Sequence, residues 1–450
     1  MPSLKDLARE HTGPALETLR TLVGQPSVAA TGEGIAECAA LVRRVLEGAG
    51  AQVTVRAHDG AAPALVADFA GASDRTLLYY NHYDVQPPEP IDEWTSPPFE
   101  PTIREGKMFA RGVADNKGDL TTRLAAVRLL QQVHGRLPCR VKFFVEGEEE
   151  IGSIHFGDYV RDLAGPLRAD ACIWEFGQRD VKERLQINLG IKGICYVELE
   201  VVATSRDLHS SLGAIVDGAG TQMAWALASL KDPKTGRVLV DGFYDKVRAP
   251  SPRELDAARA LPFDEAELKH QLGIDRFIGG LTGFDALRQL LFQPTCTVCG
   301  IKSGYVGKGS KTVLPRRARA KVDFRLVPDQ DPQEIAKLVD SHFARLGLRV
   351  TVTVLGPERA YRTNLDDPFV SLVAKTARDA TSREVTISPT SAGTGPMYDL
   401  AHTLGVPIVS IGGGYWGSRS HAPDENIRLA DFEETIYMMA RVIERFAGLP

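Results

Sequence analysis

Five places along this 450-residue chain carry side chains able to bind cations or move protons. They are His82 and Asp84 in Asn81-His82-Tyr83-Asp84, Asp115 in Asp115-Asn116-Lys117-Gly118, the acidic run Glu146-Gly147-Glu148-Glu149-Glu150, Glu175 after Trp174, and His421 beyond a glycine-rich stretch. Singly, each has an ordinary reading as a turn or a solvated acidic loop. Jointly they pose an electrostatic problem, because carboxylates gathered at one place repel one another unless cations neutralise them. Two divalent ions solve it: about four positive charges would face Asp115, Glu150, Glu175 and a hydroxide. Imidazole and carboxylate ligands without thiolate suit Zn2+ first, with Mn2+ or Co2+ as alternatives. Asp84 stands two residues beyond His82, on the same side of an extended chain, where its carboxylate can fix the imidazole tautomer.

These residues need a scaffold that brings them together. Apolar runs at 53–55, 76–80, 140–145 and 171–173 read as buried strands, and 38–46 and 120–133 as helices, after an N-terminal helix over 4–23. The alternation predicts a parallel, doubly wound α/β sheet, in which ligands sit beyond the carboxyl ends of the strands. His82, Asp115, Glu150 and Glu175 each follow such a run, Asp115 after the segment 108–114, and His421 lies beyond a strand at 406–411. From about residue 186 the pattern changes to long period-two stretches at 187–202, 298–306, 313–327 and 348–354, with helices over 220–230 and 331–346, as in an antiparallel sheet covered on one face. The α/β pattern returns after 356, with helices at 368–380 and 431–446. The expected organisation is therefore a discontinuous first domain, 1–187 and 357–450, interrupted by an inserted α+β domain at 188–356.

The net charge of -5, from 53 Lys plus Arg against 58 Asp plus Glu, disfavours a nucleic-acid partner. The first residues lack a secretory pattern and no run approaches a membrane span, so a soluble cytoplasmic protein without a membrane partner is expected. The six cysteines suit reduced buried side chains, and Cys296-x-x-Cys299 reads as two strand residues. No Gly-x-Ser-x-Gly elbow marks a serine hydrolase.

His82-x-Asp84, Gly112-Val-Ala-Asp115-Asn-Lys-Gly118, Glu146-Gly-Glu-Glu149-Glu150-Ile-Gly-Ser153 and His421 together resemble the aminoacylase/carnosinase family of dinuclear zinc peptidases over nearly the whole chain. The resemblance implies one metal ion held by His82 and Glu175, a second by Glu150 and His421, and Asp115 bridging the two. It further implies Glu149 as general base, taking a proton from the attacking water, with a hydroxide held between the ions attacking the amide and Glu149 returning the proton to the leaving amine. Glu148 is then a bystander. Asp207-Leu208-His209-Ser210-Ser211 resembles the family segment whose histidine stabilises the oxyanion from a partner subunit, which implies a homodimer formed through the inserted lid domain.

Lys311-Thr312-Val-Leu-Pro315, Asp323-Phe-Arg325 and Ser391-Ala-Gly-Thr394-Gly-Pro396 resemble the dipeptidase branch, typified by cytosolic non-specific and carnosine dipeptidases. Thr312, Arg325 and Thr394 are implied as substrate contacts, Arg325 reading a carboxylate through its planar fork; the branch has serine where Thr394 stands. Trp94 and Phe99 also match but are assigned no chemistry. The expected activity is cleavage of dipeptides or similar short peptides with a free C-terminal carboxylate. An N-acyl-amino-acid deacylase would use the same metals and base, and a non-catalytic metal-binding relative would have lost Glu149 or a ligand.

Overall fold

The computed structural model describes residues 2–449. The chain forms two compact units, one running up to Gly190 and resuming at Arg362–Pro389 and from Gly395, the other comprising Ile191–Tyr361 and Thr390–Thr394.

The first unit is built on a ten-stranded sheet. Its centre is four neighbouring parallel strands, Arg140–Glu146, Thr76–His82, Ala171–Trp174 and Ile408–Ser410. Their side chains alternate between two covered faces. Tyr79 and Phe143 point into the larger core, which includes buried residues of helices Leu4–Val23, Ile35–Glu47, Lys117–His134, Pro368–Thr381 and Leu429–Ala447. Tyr80 and Phe144 face the other way, into an aromatic cluster with Phe156 and Trp174; the Tyr80 and Trp174 rings stack at 3.8 Å. Helices on both faces leave the strand ends as the open edge at which polar side chains collect. The N-terminal helix spans the expected residues, started by a capping box in which Ser3 and Asp6 satisfy each other's backbone N–H groups.

The sheet is mixed, whereas the sequence predicts a parallel one. Gln52–Arg56 pairs antiparallel with Ala64–Phe69, which pairs antiparallel with Arg140–Glu146. The residues between the first two strands are too few for a crossover helix, so a hairpin is the only connection open to them. Gln52–Arg56 is the sheet's edge and is largely exposed, not the buried strand expected there.

The second unit holds a four-stranded antiparallel sheet in the order Thr297–Ser303, Arg317–Leu326, Gly193–Val202 and Thr351–Glu358. Strict alternation along Gly193–Val202 buries Cys195, Val197, Leu199 and Val201 under helices Ala219–Leu230 and Pro332–Arg345, with Met223, Val339 and Phe343 in the same core. The period-two stretch at 187–202 is three strands: Leu185–Asn188 belongs to the first unit's sheet, beside Val385–Ser388, the short Gly190–Ile191 follows, and a long strand begins at Gly193. Likewise 313–327 divides into Val313–Leu314 and Arg317–Leu326. Helices Pro252–Arg259, Glu265–Leu272 and Gly283–Phe292 were not anticipated, although Ser251 with Glu254 forms a capping box ahead of the first and Asp264 caps the second. All six cysteines are free thiols, Cys299 alone exposed. Among the described residues no helix is long and apolar enough to cross a membrane.

Candidate metal centre

Four of the ligand-type residues lie at or just past the ends of the parallel strands. His82 is the last residue of its strand and sits in register with Glu146. Glu175 directly follows Ala171–Trp174, and Glu149 and Glu150 open a single 3-10 turn, Glu149–Ile151, shortly after Arg140–Glu146. His421 lies in the long loop after Ile408–Ser410 with its backbone in the left-handed region, at φ 63°, a conformation non-glycine residues adopt only when the surroundings enforce it. Asp115 departs from the expectation. The run before it supplies only the short strand Lys107–Phe109, in a separate three-stranded sheet with Thr102–Arg104 and Asn426–Arg428, and Asp115 sits two residues ahead of helix Lys117–His134. Gly112, at φ 80°, breaks the strand reading. The Asp115–Asn116 peptide bond is cis.

The side chains converge around Asp115. Its Oδ1 lies 3.0 Å from His82 Nε2 and its Oδ2 lies 3.1 Å from His421 Nε2. Glu175 Oε2 is 3.3 Å from His82 Nε2, and Glu150 Oε2 is 3.1 Å from His421 Nε2. The result is two imidazole–carboxylate pairs with one carboxylate between them. Two overlapping groups have ligand atoms close enough to share an ion, Asp115 with Glu150 and His421, and His82 with Glu149 and Glu150, so Glu149 also lies within ligand reach.

The electrostatics show what this arrangement lacks. Burial, reinforced by neighbouring carboxylates, pushes Glu149 up to about 8 and Glu175 well above the carboxylate range. Burial would depress His82, but Glu175, Asp115 and Asp84 outweigh it and hold the imidazole well above its usual value. Hydrogen bonding to Asp115 and Glu150 raises His421 to about 10. Asp115 goes the other way: burial would raise it, yet its two histidine partners hold it below the usual range. Histidine protons thus stand where counter-cations are needed, and Glu175 Oε2 is buried without a hydrogen-bond donor. Carboxylate and imidazole donors around a buried, under-compensated oxygen fit two divalent cations.

Supporting contacts fix the donors. The Asp84 carbonyl accepts from His82 Nδ1 at 3.1 Å with the Asp84 Oδ1 3.2 Å away, while Oδ2 accepts the Glu150 N–H at 2.9 Å, so one buried residue orients members of both pairs. Several contributors escaped the sequence reading. Gln86 Nε2 donates to Glu150 Oε2 at 2.9 Å. Glu425, fully buried, accepts the N–H groups of Gly112, Ala114 and Asp115 together with Arg111 Nη1, at 2.8–3.0 Å, and so pins the loop that presents Asp115. Glu148 is no solvated bystander: it is buried, accepts the Ala62 N–H at 3.0 Å and pairs with His155 Nδ1 at 2.9 Å, which anchors the acidic turn. Glu148 and Glu425 are charged and close in sequence to ligands, whereas Gln86 carries no charge that would mark it.

The remaining expected site residues lie in the second unit and form two pairs. His209 and Thr312 are neighbours on an exposed two-residue bridge: Leu208–His209 pairs with Val313–Leu314, the Thr312 carbonyl accepts the Ser210 N–H, and His209 Nδ1 lies 2.9 Å from Ser211 Oγ. Arg325 and Thr394 meet directly, Nη1 donating to Oγ1 at 2.6 Å, with Asp323 accepting from Arg325 Nε at 3.0 Å. Lys192 also belongs here: its N–H donates to the Gly393 carbonyl, and burial, then the Arg325 charge, lowers its ammonium to about 8.

Known proteins resemble this chain in sequence and in fold. The sequence profile of Peptidase family M20/M25/M40 matches residues 78–445. The chain belongs to that family. Within the M20 peptidases it is similar to the Cys-Gly metallodipeptidase of Schizosaccharomyces pombe, 31% identical over 282 residues covering 61% of this chain and 58% of that protein. It is also similar to the human Beta-Ala-His dipeptidase, 30% identical over 59% of this chain and 53% of that one. The matched stretch thus spans little more than half the length of these relatives. An M20 family metallo-carboxypeptidase of Sulfolobus solfataricus has the same fold over 97% of this chain and 99% of its own, with 38% identity and a TM-score of 0.90.

Desalted protein reconstituted with Zn2+ should retain two ions per chain. His421→Ala should retain one, and Asp115→Asn, which weakens the residue facing both histidines, should lose affinity for both. Elemental analysis beside protein concentration gives the count, and a firm value of one for the wild type would remove the dinuclear centre.

Proposed function

We propose that the chain is a dinuclear-metal hydrolase that cleaves the amide bond of dipeptides or similar short peptides bearing a free C-terminal carboxylate. The observation that carries this reading is the placement of Asp115 between the His82/Glu175 and His421/Glu150 pairs, with Glu149 beside them. His82 and Glu175 would hold one ion, His421 and Glu150 the other, and Asp115 both; Zn2+ is the first choice, Mn2+ or Co2+ the alternatives. Bound there, the ions polarise a carbonyl and lower the pKa of water. The chain's own groups do the rest. Glu149 takes the proton of the attacking water and delivers it to the leaving amine, and Asp84 keeps the His82 tautomer fixed.

Arg325 is the group assigned to the substrate carboxylate. Its Nη1 is engaged by Thr394 and its Nε by Asp323, which holds the planar fork in one orientation, and Lys192 adds positive charge nearby. Thr394 fills the serine position and Thr312 lies in the loop beside His209. The relatives' names support this choice: Cys-Gly and Beta-Ala-His substrates have two residues, and a carboxypeptidase removes a C-terminal one. The likeness to a carboxypeptidase favours a second reading, in which N-acyl amino acids or longer peptides are the preferred acyl donors at the same centre.

His209 is proposed to complete the oxyanion site of a partner subunit in a cytoplasmic homodimer. Supporting this, strand Thr297–Ser303 is an open sheet edge carrying exposed Val298 and Ile301, and Val306 just beyond it is 95% exposed.

Losing a charge-assisted hydrogen bond to a desolvated carboxylate costs about 1.5–3 kcal/mol, so replacing a dipeptide's C-terminus by its amide should lower kcat/KM about 10- to 100-fold. In Arg325→Ala the amide should carry little further penalty; an equal penalty in both enzymes excludes Arg325 as the reader. Steady-state rates on the dipeptide, its amide and the matching N-acyl amino acid also separate the two readings.

Glu149→Gln should abolish turnover, and His209→Ala should be strongly impaired. Mixing the two with confirmed subunit exchange should restore part of the activity. No recovery means that His209 does not act across subunits.

A further inference from the structure

Arg123 is fully buried on helix Lys117–His134. Its fork closes on the ends of three adjacent parallel strands. Nη1 donates to the Tyr80 carbonyl at 2.7 Å and to Asn81 Oδ1 at 3.0 Å, while Nη2 donates to the Trp174 carbonyl at 2.7 Å and the Ile411 carbonyl at 3.3 Å. Tyr80 is two residues before His82, and Trp174 is the residue before Glu175. Ile411 opens the glycine loop, ten residues short of His421. One turn earlier on the same helix, Asp119 accepts the Gly413 N–H at 2.8 Å, and a Cβ on Gly412 would lie 2.1 Å from the Asp119 carboxylate. The helix that begins just after Asp115 therefore grips the backbone from which His82 and Glu175 project.

A buried guanidinium is an expensive way to fill space. It loses its hydration, which its hydrogen bonds, the nearby Asp119 charge and the Tyr79 ring offset in part, and Nε has no hydrogen-bond partner. An apolar side chain of similar volume would pack at less cost, but it could not tie two strand-end carbonyls to one rigid plane. Lysine could not either, since its single nitrogen lacks the fork.

We propose that Arg123 is a positioning residue that sets the spacing of the His82/Glu175 pair through the Tyr80 and Trp174 carbonyls, and so governs the affinity of the ion held by that pair and not of the ion held by His421 and Glu150. The inference rests on the dinuclear reading of the site and is independent of which substrate is cut. Its selectivity follows from sequence distance: the clamped carbonyls are one and two residues from Glu175 and His82, against ten from His421.

The test is Zn2+ affinity, measured by competition with a chromophoric chelator in two single-site parents. His421→Ala keeps the His82/Glu175 pair, and His82→Ala keeps the His421/Glu150 pair. Adding Arg123→Lys or Arg123→Met to the first parent should weaken binding about 10- to 100-fold, the range for removing an outer partner of a ligand. Adding either to the second should leave its affinity unchanged. Far-UV circular dichroism and melting temperature check the fold; if the Met variant does not fold, the Lys variant carries the test. Equal losses in both parents, or none in either, would overturn the assignment in favour of general packing. A wild type that binds two ions but hydrolyses no peptide would overturn the proposed activity and leave Arg123 standing.

Discussion

Asp115 offers one carboxylate oxygen to His82 and the other to His421, at 3.0 and 3.1 Å. Two histidines about one aspartate, each with its own glutamate, bring three carboxylates together, with His82 buried and His421 exposed. Without counter-cations the cluster pushes both imidazoles, Glu149 and Glu175 upward, which favours protons where lone pairs are needed for ligation. The donors are arranged for charges that the side chains themselves do not supply, and divalent ions are the simplest source of those charges.

Holding such a cluster together against its own repulsion takes more than the ligands. Glu425 collects three loop N–H groups, those of Gly112, Ala114 and Asp115, and a buried guanidinium, so the chain around Asp115 cannot relax away. Asp84 and Gln86 bind Glu150, and Glu148 ties the acidic turn to Ala62 and His155. These contacts are buried or half-buried, where a hydrogen bond is stronger and an unmade one costs more. Rigidity at the strand ends is thus obtained from polar groups, while the two apolar cores beneath and above the sheet supply the cohesion.

Much of this was legible in the sequence because strand ends and ligands coincide there. The alternation of apolar runs placed Thr76–His82, Arg140–Glu146 and Ala171–Trp174 to within a residue or two, and the residues that follow them are the ones that converge. Asp115 was misplaced onto a strand end because 108–114 is apolar enough to read as one, while Gly112 already broke it. Arg123, Glu425 and Gln86 could not be found by pattern: their partners lie on other elements, and a lone Arg, Glu or Gln has no spacing that marks it. The helices between 252 and 292 were missed for a different reason, since they are short and gather only a small core of Ala258, Leu287, Leu291 and Phe292. Glu148, read only as a bystander to the chemistry, is buried by tertiary packing that composition does not reveal.

The dinuclear centre is tested most directly by anomalous diffraction from crystals of Zn2+-loaded protein, collected on both sides of the zinc absorption edge. Expected are two edge-dependent peaks in the first unit, one bounded by His82, Glu175 and Asp115, the other by His421, Glu150 and Asp115, with Glu149 beside both and bound to neither. A single peak, or a zinc ion coordinated by Glu149 in place of Glu175, would contradict the arrangement and with it the assignment of Glu149 to proton transfer.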